Sequence, residues 1–435
     1  MPTTDLKAIY RAFDHTARLE DTALYVKRER APSERIKTGL SLDNNKHWIF
    51  CGSIGSGKSS ELAYLGHLLT SEYFVVGLDL YQSVDDVLTI RPAEVLMLIG
   101  AAAVRTVEEW FGGTIPKDQT DALRKAFLGV LAETARGPEP SKILEGVALL
   151  AWGAGTMSVG DVGKGVVSIA SSMGRLVKGK QRTPLGGLTR PSLREGDSDV
   201  VALMDAVNTI LRHIESEYGR PPIVLVDGLD KLDSIETIRP LFCTSLLSGI
   251  YGSSVYSAPI TMMLQTEWQT AASYFERERL TNIVVVQPSQ GSSVEDDLVV
   301  RGRELMHEVV ARRLKVLGLA MEDVFEDGVL DTIITESGGV LRTLVHLVRQ
   351  ATFEAIRDEA RCILTSHVTT AIDELAHEFQ ITMNGQRRAE LEAIRDHGEP
   401  SGNETAFELL LGNYVLPYRN GHSWWAPAPL VSRCL

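Results

Sequence analysis

The segment Gly52-Ser53-Ile54-Gly55-Ser56-Gly57-Lys58-Ser59 has the residue types and the spacing of a phosphate-binding loop. Its glycines let backbone N–H groups approach phosphate oxygens without a Cβ clash, and the start of the following helix adds partial positive charge. Lys58 is placed to reach the β- and γ-phosphates, and the Ser59 hydroxyl to ligate magnesium. Together with the next residue, Ser60, these positions predict a site for ATP and Mg²⁺.

A second chemical segment follows the apolar run Ile223-Val224-Leu225-Val226. Asp227 ends this run, and an acid at the tip of a buried strand is costly to desolvate unless it meets a cation or donors. We therefore expect Asp227 to be a magnesium ligand opposite Ser59. Asp230 either orients the attacking water or caps the next helix. Gly228 stands where a second adjacent acid would be, which predicts slow hydrolysis.

Two further polar groups could act on a nucleotide. Gln265 and Thr266 follow the run Pro259–Leu264, and either side chain could touch the γ-phosphate or the water. A plain turn at the end of a strand is the alternative. Arg277 and Arg279 could serve as an arginine finger on a neighbouring subunit, or they could be solvated charges on a helix.

The elements that position these residues alternate between apolar runs and helical spacing, which predicts an α/β fold with a parallel sheet. The phosphate loop lies between a predicted strand and a predicted helix, as the motif requires. The predicted strands are His47–Cys51, Tyr73–Asp79, Ile223–Val226, Pro259–Leu264 and Asn282–Val286.

We predict four regions along the 435 residues. Residues 1–46 form an N-terminal helical segment that packs on the core, and residues 47–295 form the P-loop core with an insertion at about 112–196. Residues 296–365 form a helical lid, in which Ser337–Arg342 opens a helix and Arg342 faces the nucleotide. Residues 366–435 form a winged-helix domain, because three helical segments precede strand-like runs around Asn420-Gly421, a type I′ hairpin signal.

The predicted insertion contains an apolar, glycine-rich stretch, Val147–Met173. This stretch either packs on its own domain or a neighbouring subunit, or it touches a membrane surface. A locally basic stretch follows, and its positive charge leaves DNA and an anionic membrane surface as alternative ligands. Its basic residues are Arg175, Lys178, Lys180, Arg182, Arg190 and Arg194.

In this order, the phosphate loop, Asp227-Gly228-Leu229-Asp230, the polar Gln265, Gly338-Gly339-x-x-Arg342 and the winged helix resemble the AAA+/STAND class of P-loop ATPases. The layout is similar to replication-initiator ATPases and to bacterial defence ATPases of the STAND type. The resemblance implies that Lys58 and Ser59 are the Walker A residues, Asp227 is Walker B, Gln265 is near sensor 1 and Arg342 is sensor 2.

The chain departs from that class at two points. No acid follows Asp227, and Ala426-Pro427-Ala428-Pro429-Leu430 stands where some STAND switches carry Met-His-Asp. The second departure puts nucleotide-state locking through that histidine in doubt.

Composition narrows the function. The net charge is −13, the N-terminus is charged rather than signal-like, and the four cysteines are scattered, which fits a cytoplasmic setting without a zinc site. From Ser366 to Leu435 nine acids stand against five arginines, whereas a domain that contacts many phosphates should be basic. We therefore favour a slowly hydrolysing switch that assembles with itself or with a partner protein encoded nearby. The alternative is a DNA-handling AAA+ ATPase.

Overall fold

The computed structural model describes residues 5–16, 24–29, 31–84, 86–132, 187–287, 296–420 and 422–435. The chain divides into two compact units. The sheet unit comprises Arg30–Cys51 and Ser59–Arg279, and the helical unit comprises Met1–Glu29, Gly52–Lys58 and Leu280–Leu435. Each unit is built from stretches that are distant in sequence.

A five-stranded parallel sheet has the order β2-β3-β4-β1-β5. Its strands are β1 (His47–Gly52), β2 (Phe74–Asp79), β3 (Pro222–Asp227), β4 (Ser253–Pro259) and β5 (Glu276–Leu280). Every residue of β3 is buried, as expected of an apolar strand covered on both faces. With the phosphate loop following β1 inside the sheet, this is a parallel α/β fold of the P-loop type, as predicted.

The helices of the sheet unit supply the rest of its core. They are α2 (Pro32–Leu42), α3 (Lys58–Leu69), α4 (Pro92–Phe111), α5 (Lys117–Val130), α6 (Ser198–Tyr218) and α7 (Ile235–Phe242). Helix α4 is buried almost all round because its middle is a continuous run of apolar and small residues. Short helical turns lie at Leu80–Ser83, Val87–Thr89, Leu229–Lys231, Ile260–Leu264, Glu267–Thr270 and Ala271–Ser273.

Two predicted strands were wrong in position. The fourth strand is Ser253–Pro259, and the apolar Ile260–Leu264 forms a 3₁₀ turn after it. The serines of β4 are tolerated in the sheet because their hydroxyls find hydrogen-bond partners: Ser253 Oγ donates to Asn44 O at 2.8 Å, and Ser254 Oγ lies 2.8 Å from His47 Nδ1.

The fifth strand is the charged Glu276–Leu280 rather than Asn282–Val286. An edge strand accommodates charged side chains, and Arg35 lies 3.3 Å from the buried Glu278 carboxylate. The residues after β5 bond elsewhere: Asn282 N donates to Pro417 O at 3.1 Å and Ile283 N to Gly339 O at 3.2 Å.

Part of the predicted insertion is described. Helix α5 buries Leu123, Phe127 and Val130 in the core of the sheet unit. Beyond it, Leu131 and Thr189 form an antiparallel bridge. The intervening residues 133–186 lie outside the described part of the chain, and with them Val147–Met173 and the basic residues Arg175, Lys178, Lys180 and Arg182.

The helical unit has its own core, in which Ile9 and Phe13 of the N-terminal segment pack with Val310, Leu347 and Ile372. Its helices are α1 (Leu6–Ala12), α8 (Asp296–Val316), α9 (Val329–Glu336), α10 (Leu341–Arg357), α11 (Thr365–Ile381), α12 (Gly385–His397) and α13 (Glu404–Leu411). Short helices lie at Met321–Val324 and Pro429–Ser432.

A hairpin of β6 (Val415–Asn420) and β7 (His422–Pro427) follows α13, so three helices and a hairpin occur as predicted for the C-terminal region. The predicted type I′ turn includes Gly421, which lies outside the described residues. None of the helices in the described ranges has the length and apolar composition to cross a bilayer.

Candidate functional site

The phosphate loop has a backbone that only glycine adopts easily at two positions. Gly55 has φ +81° and Gly57 has φ +101°. The start of α10 also lies against both: a Cβ on Gly55 would be 2.6 Å from the Arg342 Cβ, and one on Gly57 would be 2.9 Å from the Leu341 Cδ1. Conformation and close contact therefore both require these glycines.

Lys58 and two serines give the loop its polar interior. The Lys58 side chain is 3% exposed, and its Nζ donates to Gly52 O at 2.7 Å and to Ser53 O at 2.8 Å. The hydroxyls of Ser53 and Ser56 are buried and have no hydrogen-bond partner among the described residues. A buried hydroxyl without a partner destabilises a fold by about 1–3 kcal/mol. Such groups beside an ammonium fit a ligand rich in acceptor oxygens, as a polyphosphate is.

Three residues of the helical unit that are distant from one another in sequence donate hydrogen bonds to further backbone carbonyls of the phosphate loop. Asn413 Nδ2 donates to Ile54 O at 2.8 Å, and the backbone N–H of Arg342 donates to Gly55 O at 3.1 Å. The Arg28 guanidinium donates to Ser56 O and, at 3.0 Å, to Thr281 O.

Of these three, sequence reasoning identified only Arg342, which the structure brings to the loop through its backbone while its side chain is exposed. Arg28 and Asn413 were missed, because no local signal in the sequence shows that either residue contacts the loop.

The two glycines before α10 are explained by close packing. Gly338 and Gly339 have φ of +58° and +74°. A Cβ on Gly339 would lie 1.8 Å from Ile283 O, and one on Gly338 would lie 2.6 Å from the Leu416 Cδ1. The Gly-Gly pair therefore fixes where α10 begins, and so the place of Arg342.

In the sheet unit, Asp227 ends β3 and is 1% exposed. Its Oδ1 accepts from Gly228 N at 2.9 Å, and Ser257 Oγ on β4 accepts from Gly228 N at 2.9 Å and Leu229 N at 3.1 Å. Gly228 has φ +104°, and a Cβ there would lie 2.8 Å from Tyr81 N. The turn therefore excludes a second acid at this position, and Ser257, which sequence reasoning missed, supports it.

Asp79 lies beside Asp227 because β2 and β3 pair these two residues in register. Both carboxylates are buried at the carboxyl ends of parallel strands, a common position for ligand-binding groups in open α/β sheets.

Asp230 is nearly buried within the turn Leu229–Lys231. The alternative that it caps the next α-helix is wrong, because Ser234 caps α7 by accepting from Thr237 N at 3.3 Å.

Gln265 does not lie at a strand tip, because the turn Ile260–Leu264 separates it from β4. Its Oε1 is buried and has no hydrogen-bond partner in the described ranges. Thr266 Oγ1 donates to Glu267 Oε2 at 3.2 Å. Arg239 donates a hydrogen bond to Glu267, which lowers the pKa of the glutamate. The buried amide oxygen of Gln265 therefore lies close in sequence to a structural ion pair.

Arg277 and Arg279 lie on β5, so the alternative of helix charges is wrong. The Arg277 guanidinium stacks on the Trp268 ring at 4.9 Å and donates to Trp268 O, and the Arg279 backbone N–H donates to Glu278 Oε1 at 3.2 Å. Arg277 is thus held by its own chain.

No protein-family model matches this chain. No curated protein matches it either. Among solved structures it is similar to a chain of Drosophila ORC bound to DNA, with 12% identity, 98% of this chain and 91% of that chain covered, and a TM-score of 0.41.

It is also similar to the Aeropyrum pernix ORC2 protein (12% identity, 96% and 93% covered, TM-score 0.42). A third similar structure is the Thermotoga maritima RuvB Holliday junction branch migration motor (12% identity, 90% and 91% covered, TM-score 0.33). At these TM-scores the similarity does not indicate a ligand or a reaction for this chain. The fold assignment depends on the phosphate loop and the strand order of the chain itself.

Proposed function

We propose that this chain binds ATP with Mg²⁺ and hydrolyses it slowly. One observation carries the proposal: a glycine loop after β1 holds Lys58 at its base beside the unpaired hydroxyls of Ser53 and Ser56. Backbone amides of Gly52–Ser60 and the Lys58 ammonium would bind the phosphates.

Ser59 and Asp227 carry the oxygen ligands that Mg²⁺ takes. Phosphate oxygens of the nucleotide would hold the ion together with these two residues. Bound Mg²⁺ would neutralise charge on the phosphates. Asp230 and Gln265 remain our candidates for orienting the attacking water, and the Arg342 side chain for contacting phosphate. The glycine fixed at position 228 is the reason to expect slow turnover.

The role we propose is a switch. Within the helical unit the loop is bonded to α10 through Arg342 and to the C-terminal region through Asn413, so ligand binding at the loop reaches both. Such a switch would act in the cytoplasm, assembling with itself or with a partner protein encoded nearby. A part in bacterial defence is proposed from the class resemblance alone.

The central test measures binding of labelled ATP in the presence of Mg²⁺. Lys58→Ala should abolish binding, whereas Lys117→Ala, an exposed lysine on α5, should bind like the wild type. Asp227→Ala should retain ATP but lose magnesium-dependent phosphate release. Equal ATP affinity of the wild type and Lys58→Ala would overturn the loop assignment.

A trans arginine finger can be tested by mixing. Arg279→Ala or Arg277→Ala should bind ATP but not hydrolyse it, and mixed oligomers with Lys58→Ala should recover phosphate release. Absence of recovery at concentrations where the chain self-associates would refute a finger in trans.

The second candidate is a DNA-handling ATPase, favoured by the basic stretch from Arg175 to Arg194. Two of its six basic residues, Arg190 and Arg194, are described, and Arg190 forms an ion pair with Asp199 at 2.5 Å. A gel shift with duplex DNA across salt concentrations decides: phosphate contacts weaken steeply with salt, and no shift at low salt eliminates this candidate.

A further inference from the structure

Asn413 joins the C-terminal module (residues 365–435) to the phosphate loop. It lies between α13 and β6, and its Nδ2 donates to Ile54 O at 2.8 Å. Its Oδ1 is buried and has no hydrogen-bond partner among the described residues. The amide therefore makes one directed bond, and that bond goes to the loop.

The backbone at this position is built to hold the side chain in place. Asn413 has φ +58°, and its N–H donates to Leu410 O while Tyr414 N donates to Leu409 O at 2.8 Å. The Tyr414 ring packs edge-on against Phe379 of α11. A left-handed residue that ends a helix in this way is usually glycine. Compared with glycine, Asn413 provides a side-chain amide that can bond to the loop.

Other hydrogen bonds join the module to segments of the helical unit near the loop. Tyr418 OH donates to Gly338 O at 2.7 Å, and Pro417 O accepts from Asn282 N. These bonds fix β6 against the glycine pair that precedes α10. Among the described side chains of the module, Asn413 is the one with a hydrogen bond to the loop.

The planarity of the peptide bond gives this contact a consequence for the ligand side. In a trans peptide the carbonyl of Ile54 and the N–H of Gly55 point in opposite directions. A bond that holds Ile54 O toward the module therefore directs the Gly55 N–H away from it. The orientation of an amide that would meet phosphate thus depends on a side chain of the C-terminal module.

We propose that Asn413 is a positioning residue through which the C-terminal module sets the nucleotide affinity of the phosphate loop. The proposal depends on the ATP binding proposed above. By linkage, nucleotide must strengthen the docking of the module by the same factor by which the docked module strengthens nucleotide binding.

The test uses the full chain and two substitutions of Asn413. Asn413→Gly keeps the left-handed backbone and removes the amide, and Asn413→Asp keeps the shape but replaces the donor by an acceptor facing Ile54 O. The matched control is Glu359→Gly, an exposed residue with φ +51° that is distant in sequence from the module's contact with the loop.

We expect Asn413→Gly to weaken ATP·Mg²⁺ binding about three- to tenfold, as for the loss of one hydrogen bond. Asn413→Asp should weaken it more, and Glu359→Gly should leave it unchanged. KM should rise more than kcat falls. Nucleotide should slow amide hydrogen exchange in the segment 412–427 of the wild type and less so in Asn413→Gly.

The outcomes separate the two proposals. A wild type that does not bind ATP overturns the proposed function and this inference with it. A wild type that binds, with both Asn413 variants binding equally well, overturns the inference alone. Equal weakening in Glu359→Gly also overturns it, because the effect would then follow from backbone change. If Asn413→Asp does not fold, Asn413→Gly still decides.

Discussion

The turn after Asp227 predicts what happens when the missing second acid is installed. Gly228→Glu puts a carboxylate directly after Asp227, and Gly228→Ala tests the backbone alone. Gly112→Ala is the matched control, because Gly112 is also left-handed, at φ +59°, but has nothing within 4 Å of an added Cβ. Both positions, 228 and 112, lie in the sheet unit.

The structure sets the size of each effect. A left-handed backbone destabilises a residue with a side chain by about 1–2 kcal/mol, and Gly112→Ala should show this term alone. At Gly228 the added Cβ also meets the backbone nitrogen of Tyr81 at 2.8 Å, so the chain must shift. Overpacking of this kind adds about 1–3 kcal/mol. Gly228→Ala should therefore be less stable than Gly112→Ala by that second amount.

Thermal unfolding and phosphate release are the two measurements. For domains of 150–250 residues a change of 1 kcal/mol moves Tm by about 2–4 °C. Gly228→Ala should thus melt several degrees below Gly112→Ala, and Gly228→Glu should melt lower still without faster phosphate release. Equal melting of the two alanine variants, or faster hydrolysis by Gly228→Glu, would refute the argument that the turn excludes a second acid.

Three other substitutions have defined outcomes. Ser257→Ala removes the acceptor of two backbone N–H groups beside Asp227, so it should destabilise the chain by about 1–3 kcal/mol in denaturant titrations and reduce phosphate release. Gln265→Leu should keep both stability and ATP affinity, since its buried oxygen lacks a partner in the described ranges, while slowing phosphate release at least about tenfold; unchanged release would remove Gln265 from the site. Burial lowers the pKa of His346, stacked on His15, to about 4, so the unfolded chain takes up the proton first and stability is lost as pH falls from about 6.5 toward 4. His346→Gln should lose less Tm than the wild type between pH 7 and pH 5, and parallel losses would contradict this.

The sequence predicted the elements whose signals are local. The phosphate loop, β1, β2 and β3 are marked by motif and by apolar runs, and the glycine pair with Arg342 marks the start of α10. Strands β4 and β5 were misplaced because hydrophobicity is a poor guide where serine hydroxyls are satisfied inside a sheet or where charged residues occupy an edge strand.

The supports of the site could not be predicted in the same way. Ser257 acts from the neighbouring strand, and Arg28 and Asn413 reach the loop from opposite ends of the sequence. None belongs to a motif, and each acquires its role only through tertiary packing. The preference of asparagine for left-handed backbone is a local signal at position 413, but it does not reveal the partner.

The bond from Asn413 to Ile54 spans 359 residues of sequence, which has a consequence for how the chain folds. The loop leaves the ribosome long before Asn413, one of the groups that orients it, has been made. Contacts of such long range form late, because closing a long loop is entropically unfavourable. A growing chain would therefore carry an incompletely supported loop, and the ATP binding proposed above would be weaker until the C-terminal module has folded onto the loop.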